Sequence, residues 1–293
     1  MRRCKLLLLI CLPILVFNLS SEGSLQVARA SNPKIPERIV SLAPSITEIL
    51  FELGLNKKIV GVTDFCNYPE EAKAKPRIGG FFNPNLEAIV SLEPDLVIGI
   101  SNLGNKSVIK GLVSLDIQTL MVKSFMIDDI LDSVLKIGKA TGVMSRADDL
   151  VLDLRKRIEK IKDLIRGSKK VKVLFVFSYE PLIVAGKETF ADELLSLAGG
   201  ENIVRDIKGR YSRYSIEEVI SKEPEVIIAT VHENPSSLLK ESKNVRGWEK
   251  WKNLLAVKSG RIYVVSEDFY FRPGPRFILG LEKIAEILHP EVF

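Results

Sequence analysis

The stretch that decides the fold occurs twice in the chain. Residues 86–99 read LEAIVSLEPDLVIG, and residues 216–229 read IEEVISKEPEVIIA. The two stretches align without a gap, so every pair of equivalent residues lies 130 positions apart. Two Glu, one Ser, one Pro and one Ile are identical, and most other pairs exchange similar side chains. Each copy predicts a short amphipathic helix that ends before the proline, followed by a buried, β-branched strand.

The segments around the two copies repeat as well. Apolar, strand-like runs precede the copies at 38–42 and 171–177, and similar runs follow them at 117–122 and 261–265. Strands that alternate with helices predict parallel, doubly wound sheets with helices on both faces. The predicted fold class is therefore α/β, with two Rossmann-like lobes. Ligands of such sheets bind at the carboxyl ends of the strands.

The segment between the copies predicts a helix. Residues 145–167 contain no proline, place Leu and Ile side chains at helical spacing, and end in Gly167 as a cap. A single helix of this length measures roughly 34 Å. It would join a first lobe at 31–144 to a second lobe at 168–293. The alternative is an ordinary surface helix of the second lobe.

The amino terminus has the layout of a signal peptide. A basic start precedes an apolar run, Leu6 to Phe17, which is shorter than the roughly 20 residues that span a bilayer. A pattern of small residues that ends at Ala30 predicts cleavage there. Residues 1–30 would thus direct the chain to the periplasm or the extracytoplasmic face. An uncleaved anchor and lipidation at Cys11 are the alternatives.

Composition limits the partners of the mature chain. Residues 1–30 carry four basic residues and one acidic residue, so their removal lowers the formal charge from +5 to +2. The remaining lysines and arginines alternate with acids, a pattern that is typical of solvated helix faces and argues against nucleic-acid binding. Cys66 is the only cysteine left. An intramolecular disulfide and a thiolate-rich zinc site are therefore excluded.

A series of short motifs adds a family resemblance. Residues 38–48 read RIVSLAPSITE, and further motifs follow in order: GVTD at 61–64, AGKET at 185–189, GGENI at 199–203 and RPGPR at 272–276. In these motifs the chain resembles periplasmic binding proteins for vitamin B12 and ferric siderophores, which serve ABC transporters. The resemblance implies two Rossmann-like lobes joined by one long helix. It also implies a ligand held between the lobes, small hinge motion and no catalysis.

The resemblance gives the repeated helices a role. In that family a glutamate on the motif helix of each lobe contacts arginines of the membrane permease, and the matching positions are Glu87 and Glu217. Equivalent acids on two lobes suit a two-fold symmetric partner. Exposed ion pairs contribute only about 0 to 1 kcal/mol each, so their main effect would be on orientation and encounter rate. The alternative is that both are merely solvated helix residues.

Ligand-binding positions follow from the same resemblance. Aromatic and apolar residues enclose the corrin in cobalamin receptors, and the matching positions, with their neighbours in sequence, are Phe65, Phe81, Phe82, Ile100, Ile183, Tyr211, Asp268, Tyr270 and Arg272. The chain departs from the best-known cobalamin binders in its tryptophans, because Trp248 and Trp251 lie far from these positions. For each aromatic side chain the alternative is ordinary core packing.

The expected ligand is a pre-formed cobalt or iron chelate. Cobalamin or a related corrinoid is the first expectation, since flat aromatic faces suit a macrocycle. A ferric siderophore or haem is the alternative. Arg210, Arg213 and Arg272 are compatible with a siderophore as the ligand, because charge-assisted hydrogen bonds suit anionic chelating oxygens.

An enzyme is the rival class, since Rossmann-like lobes often carry catalysis. The sequence contains no GxGxxG fingerprint, no Walker loop and no GxSxG elbow. His232 and His289 are its only histidines, and no cluster of His, Cys or carboxylates suits a free metal ion. We therefore expect a monomeric, non-enzymatic protein without a cofactor or metal site of its own. Its expected partners are the metal chelate and an ABC-transporter permease.

Overall fold

The computed structural model describes residues 35–101, 106–179, 181–231 and 251–293. The predicted signal peptide, His232 and Trp248 lie outside the described residues. Residues 35–293 form one compact unit that contains two β-sheets. We call the part built on the first sheet the first lobe and the part built on the second sheet the second lobe.

The first lobe has a four-stranded parallel sheet of order β2-β1-β3-β4. Its strands are β1 (Ile39–Ser41), β2 (Ile59–Val62), β3 (Leu96–Ile100) and β4 (Thr119–Val122). Its helices are α1 (Pro44–Glu52), α2 (Leu86–Ser91), α3 (Lys106–Ser114) and α4 (Ile127–Thr141). The central strands β1 and β3 are buried on both faces, as their continuous apolar runs predict.

The second lobe has a six-stranded sheet of order β10-β9-β5-β6-β8, with β7 also paired to β5. Its strands are β5 (Val171–Tyr179), β6 (Leu182–Ala185), β7 (Gly200–Asn202), β8 (Tyr211–Arg213), β9 (Val226–Val231) and β10 (Ile262–Ser266). Its helices are α6 (Phe190–Leu197), α7 (Ile216–Lys222), α8 (Leu255–Lys258) and α9 (Phe277–Leu288).

The α/β fold class is confirmed, with one correction to the second sheet. It is mixed rather than wholly parallel, because β6 runs antiparallel to both β5 and β8. Only two residues separate the end of β5 from the start of β6. A parallel crossover needs a dozen residues or more, so this short connection allows only an antiparallel hairpin.

The two repeat copies have the same local structure. Each folds as a short helix and a central strand, α2 with β3 and α7 with β9. Glu93 and Glu223, the residues before the two prolines, both adopt left-handed backbone with φ of 45° and 47°. The carboxylate that follows each proline, on Asp95 and Glu225, accepts a backbone N–H at the start of the lobe's first strand. The repeat in the sequence is therefore also a repeat in the structure.

A single helix, α5 (Met144–Leu164), runs between α4 and β5. It is continuous, as predicted, but ends three residues before Gly167, which has a φ of 85° in the turn that follows. Its 21 residues span about 32 Å. Arg157 of this helix donates two hydrogen bonds, of 2.9 and 2.8 Å, to Glu282 of α9. No helix in the described ranges has the length and apolar character needed to cross a membrane.

The buried face of α5 supplies the first testable prediction. Leu154 is 2% exposed and belongs to a core cluster shared by both lobes, whereas Leu152 on the same helix is 51% exposed. We expect Leu154→Ala to lower the free energy of unfolding by about 2 to 5 kcal/mol, because it leaves a cavity. Leu152→Ala should change it by less than about 0.5 kcal/mol. Urea denaturation measures both, and equal losses would contradict the assignment of the buried face.

Candidate functional site

A cavity of about 300 Å³ lies where the two lobes meet. On the first lobe it is bounded by residues that follow β1 and β2 and by Ile100, the last residue of β3. These positions lie at the carboxyl ends of the strands, as expected for parallel sheets. On the second lobe it is bounded by the end of β5 and the segment after β10. The lining residues are Pro44, Ser45, Phe65, Phe81, Phe82, Ile100, Phe177, Glu267, Phe271, Arg272 and Pro273. We call this cavity the cleft.

A network of hydrogen bonds holds the loop that carries Phe65. Arg77 donates to the carbonyl oxygens of Thr63 at 2.7 Å and Cys66 at 3.0 Å. The fully buried Sγ of Cys66 lies 3.1 Å from the hydroxyls of Thr47 and Thr63, and burial raises the pKa of this thiol. Phe65, between these anchored residues, is 54% exposed and lines the cleft.

Phe81 and Phe82 lie in a tight turn between β2 and α2. The carbonyl of Gly79 accepts the N–H of Asp64 at 3.0 Å, and Gly79 also forms a bridge with Pro84 that closes the turn. The two phenylalanine rings meet edge to face at 4.9 Å. They form an apolar wall on the first lobe.

Three aromatic rings form the facing wall on the second lobe. The rings of Phe177 and Phe271 lie 4.8 Å apart, and that of Tyr211 lies 5.6 Å from Phe177 and 5.9 Å from Phe271. Such distances are typical of favourable edge-to-face and tilted aromatic pairs. Tyr211 does not line the cavity itself but supports two rings that do.

The structure places the predicted ligand-binding residue Tyr270 in the core and outside the cleft lining. Its side chain is fully buried, its ring packs 5.6 Å from that of Phe175, and its hydroxyl donates to the carbonyl of Gly280. The side chain anchors the segment after β10 in the core. The next residue, Phe271, is the one that faces the cleft.

A buried ion pair joins the two lobes beside the cleft. Arg276 donates two hydrogen bonds to Glu48 of α1, at 3.0 and 2.6 Å, and the side chains are only 11% and 3% exposed. Burial raises the pKa of the Glu48 carboxyl, while the hydrogen bonds and charge of Arg276 act in the opposite direction. The guanidinium also lies 3.7 Å from the ring centroid of Tyr68.

The backbone between the lobes approaches very closely at Gly274. A Cβ atom at this position would lie 3.1 Å from Glu48 Oε2 and 3.2 Å from the Cβ of Ser45. The hydroxyl of Ser124 in the first lobe also donates to the carbonyl of Pro273. The RPGPR motif is therefore the contact between the second lobe and the start of α1.

Asp268 and Arg272 pair with each other at the edge of the cleft. Arg272 Nε lies 3.0 Å from Asp268 Oδ1, and Arg272 Nη1 donates to Asn67 Oδ1 of the first lobe at 2.6 Å. Asp268 also lies 3.9 Å from Arg276. Asp268 is thus a partner of the arginines and is absent from the cavity lining, whereas Arg272 does line it.

The structure brings together five of the nine predicted ligand positions. Phe65, Phe81, Phe82, Ile100 and Arg272 line the cleft. Ile183 pairs with Ser178 and Arg213 in the sheet, and is half-buried outside the cavity lining. Sequence reasoning missed Phe177 and Phe271. Phe177 could have been found, because it ends the predicted strand at 171–177 and ligands bind at strand ends.

Glu87 and Glu217 occupy the same position in the two repeat helices. Each is the second residue of its helix, after an N-cap side chain on Asn85 or Ser215 that accepts a backbone N–H. Both glutamates are exposed. Their roles in docking remain predictions.

The described residues contain no group of three or more His, Cys, Asp or Glu side chains that could hold a metal ion. His289 is buried, with Nδ1 3.5 Å from Glu291. A larger depression, of about 610 Å³, lies along α5 but is bounded by that helix alone, with five charged residues among its six. The cleft is the better candidate, because it is apolar and formed by both lobes.

This fold and cleft define a two-lobed α/β binding protein. The chain belongs to the periplasmic binding protein family, whose model matches residues 39–269. Over 267 residues the chain is 34% identical to the uncharacterized ABC transporter substrate-binding lipoprotein YvrC of Bacillus subtilis (strain 168), with 89% of this chain and 82% of that protein covered. The sequence-based assignment to this family is confirmed.

Two solved structures are also similar. The periplasmic vitamin B12 binding protein BtuF of Vibrio cholerae has a TM-score of 0.76 and 27% identity, covering 87% of this chain and 98% of that chain. The periplasmic heme-binding protein RhuT from Roseiflexus sp. RS-1 has a TM-score of 0.76 and 27% identity, covering 88% of this chain and 99% of that chain. The architecture of the whole described unit is therefore that of known binding proteins.

The ion pair between Glu48 and Arg276 supplies the second prediction. Glu48→Gln leaves a guanidinium buried without its bidentate partner, and we expect a loss of about 3 kcal/mol in the free energy of unfolding. As a control, Glu286→Gln breaks the half-exposed pair with Lys283 and should cost less than about 1 kcal/mol. Thermal and urea denaturation of both variants test this difference, and a Glu48→Gln protein as stable as the control would refute it.

Proposed function

We propose that the chain is an extracytoplasmic substrate-binding protein that captures a metal chelate, cobalamin or a related corrinoid, and delivers it to an ABC-transporter permease. The observation that carries the proposal is the aromatic cleft shared by the two lobes. Phe65, Phe81 and Phe82 face it from one lobe, and Phe177 and Phe271 from the other.

The chemistry of the cleft suits a flat, largely apolar ligand. Aromatic rings provide a large contact area with little side-chain entropy to lose, and they stack on macrocycles. Binding pockets of this kind combine an apolar lining with few polar groups, here Ser45, Glu267 and Arg272. In this proposal the metal arrives inside its chelator, and the protein releases the ligand chemically unchanged, without a cofactor.

Haem or a ferric siderophore is the second candidate. One observation supports it: the haem-binding relative RhuT matches this chain at the same identity and TM-score as the vitamin B12-binding relative BtuF. Haem is also a flat tetrapyrrole, so the same aromatic walls would contact it. The argument for a siderophore is the presence of arginines near the cleft, which suit anionic chelating oxygens.

Delivery requires export and a membrane partner. Residues 1–30 are proposed to be the export signal, and the matched relatives include a lipoprotein and two periplasmic proteins. Glu87 and Glu217 are proposed to pair with arginines on a two-fold symmetric permease. Two equivalent acids suit such a partner, whereas one asymmetric ligand would not need the same group twice. The protein is proposed to act as a monomer.

A titration with a panel of ligands tests the function. We expect cobalamin, haem or a ferric siderophore to change the absorption spectrum or quench the protein fluorescence on binding, with no turnover. Phe65→Ala and Tyr211→Ala should each weaken binding by roughly 2- to 10-fold, because an aromatic contact contributes about 0.5 to 1.5 kcal/mol beyond buried area.

The control for this titration is Phe293→Ala. Phe293 is 52% exposed, close to the 54% of Phe65, but it ends the chain outside the cleft. Its removal should leave affinity unchanged. No binding of any ligand in the panel, or conversion of one to a product, would count against the proposed function.

The docking role is tested by reversing both charges. Glu87→Lys with Glu217→Lys should abolish most ligand uptake in a reconstituted transport assay, since like charges would then face the permease arginines. The affinity for ligand in solution should stay within about twofold of the wild type.

The matched control reverses two other exposed acids, Glu52→Lys with Glu201→Lys. Glu52 ends α1, whose first residues border the cleft, and Glu201 lies on β7 beside the start of β5, so both lie away from the carboxyl ends of the strands. This variant should transport normally. Equal transport by the two double variants, or loss of solution affinity in the first, would show that the assignment is wrong.

A further inference from the structure

The amino-terminal end of α1 lies at the cleft. Pro44 and Ser45, the first two residues of this helix, both line the cavity. The N-cap residue is Ala43, whose backbone is extended, with φ of −154° and ψ of 147°. Its methyl side chain has no oxygen that could accept a hydrogen bond, as a serine or asparagine would at this position. The first turn of α1 is therefore left without a side-chain cap.

Two backbone donors of this turn have no acceptor. The first N–H groups of a helix find no carbonyl partner within it. Pro44 has no N–H, and the N–H of Thr47 donates to the carbonyl of Ala43 at 3.0 Å. The N–H groups of Ser45 and Ile46 donate to no acceptor in the part of the chain that the structure describes. Both add to the positive potential at this end of the helix.

The hydroxyl of Ser45 is also without a partner. Ser45 is only 3% exposed, yet its hydroxyl forms no hydrogen bond with any described residue. Among the described residues, the only fully enclosed side-chain polar atom without a partner is Nε2 of His289. The hydroxyl oxygen of Ser45 therefore keeps some contact with the cavity that this residue lines. A nearly buried donor without a partner is costly, and a ligand oxygen would satisfy it.

Neighbouring residues fix the position of Ser45. A Cβ atom added at Gly274 would lie 3.2 Å from the Cβ of Ser45 and 3.3 Å from its Cα, so the two backbones are in close contact. One turn further along α1, Glu48 forms the buried ion pair with Arg276. Ser45 is therefore held between α1 and the RPGPR segment before a ligand binds. Donors that are already in place lose little freedom on binding.

We propose that Ser45 and the amino-terminal end of α1 form an acceptor-oxygen subsite of the cleft, which holds a carbonyl or carboxylate oxygen at the edge of the chelate. The hydroxyl and the N–H of Ser45 are its donors, and the helix dipole favours negative charge on the bound oxygen. The inference rests on the proposed function and adds an orienting contact on the first lobe. The oxygen belongs to a carboxamide in cobalamin and to a carboxylate in haem.

The subsite supplies a contact that the aromatic walls lack. The five phenylalanine rings of the cleft have no hydrogen-bond donors. They determine the plane of a flat ligand but not its rotation within that plane. A hydrogen bond between Ser45 and an oxygen at the edge of the ring would select one rotation.

Three ligands separate a hydrogen bond at Ser45 from ring contact. Cobalamin carries carboxamides, haem carries carboxylates, and iron etioporphyrin has the ring of haem with only alkyl groups at its edge. Affinities of the wild type, Ser45→Ala and the control Ser101→Ala are measured for all three. Ser101 follows β3 in the same lobe, but its hydroxyl donates to the carbonyl of Val122 at 3.1 Å and it is absent from the cleft lining.

The subsite predicts a loss that depends on the ligand. Ser45→Ala should weaken binding of a ligand with an acceptor oxygen by about 2- to 10-fold, the contribution of one hydrogen bond, and leave iron etioporphyrin unaffected. Its midpoint of thermal unfolding should not fall, since no hydrogen bond within the protein is lost. Ser101→Ala should bind every ligand like the wild type. A loss confined to cobalamin identifies a carboxamide, and one confined to haem identifies a carboxylate.

A second variant gives the first turn a cap of its own. In Ala43→Ser the added hydroxyl accepts a free N–H of the turn, as the side chain of Ser215 does at the start of α7. The protein then competes with the ligand for the same donors. Ala43→Ser should therefore weaken the ligands that Ser45→Ala weakens, while iron etioporphyrin again binds like the wild type.

Several outcomes would overturn the proposal. Wild-type binding with no loss in Ser45→Ala, equal losses for all three ligands, or binding confined to iron etioporphyrin contradicts the subsite while leaving the proposed function intact. Absence of wild-type binding to all three ligands contradicts the macrocycle class and the subsite together.

Discussion

The buried ion pair between Glu48 and Arg276 is the interaction on which the cleft depends. It joins residues 228 positions apart, one in α1 of the first lobe and one in the RPGPR segment of the second. Cleft residues lie on both of these elements, Pro44 and Ser45 on one and Arg272 and Pro273 on the other. Separating the charges would leave each without its partner in a poorly hydrated site, which is costly. The pair therefore fixes the distance between the two walls before any ligand binds.

The distribution of charge around the cleft follows from this constraint. Arg272 and Arg276 are matched by Asp268 and Glu48, so the groups that hold the lobes together add little net charge beside the aromatic walls. An apolar ligand then avoids the desolvation of an unpaired charge.

The predictable parts of the structure are those with a periodic signal. The two copies of the repeat, the strand at 171–177 and the helix at 145–167 follow from apolar spacing, and all of them exist with small shifts at their ends. The antiparallel pairs of β6 with β5 and β8 were missed because three- and four-residue strands are too short for a clear alternation. In the segment after β10 no periodicity tells which of Tyr270 and Phe271 points inward. Tyr270 enters the predicted set only as a sequence neighbour of Asp268, and its ring packs against Phe175 in the core.

The two lobes are alike within the copies of the repeat but differ in the walls that they contribute to the cleft. They match at Asp95 and Glu225, which hold the first strand of each lobe, and at Glu87 and Glu217, which are exposed at the same helical position. These features serve the lobe itself or would serve a symmetric partner. The cleft walls differ, with adjacent phenylalanines in a turn on one side and a tyrosine with neighbouring arginines on the other. A single ligand without two-fold symmetry presents different groups to the two lobes, so equivalent walls would leave one side poorly matched.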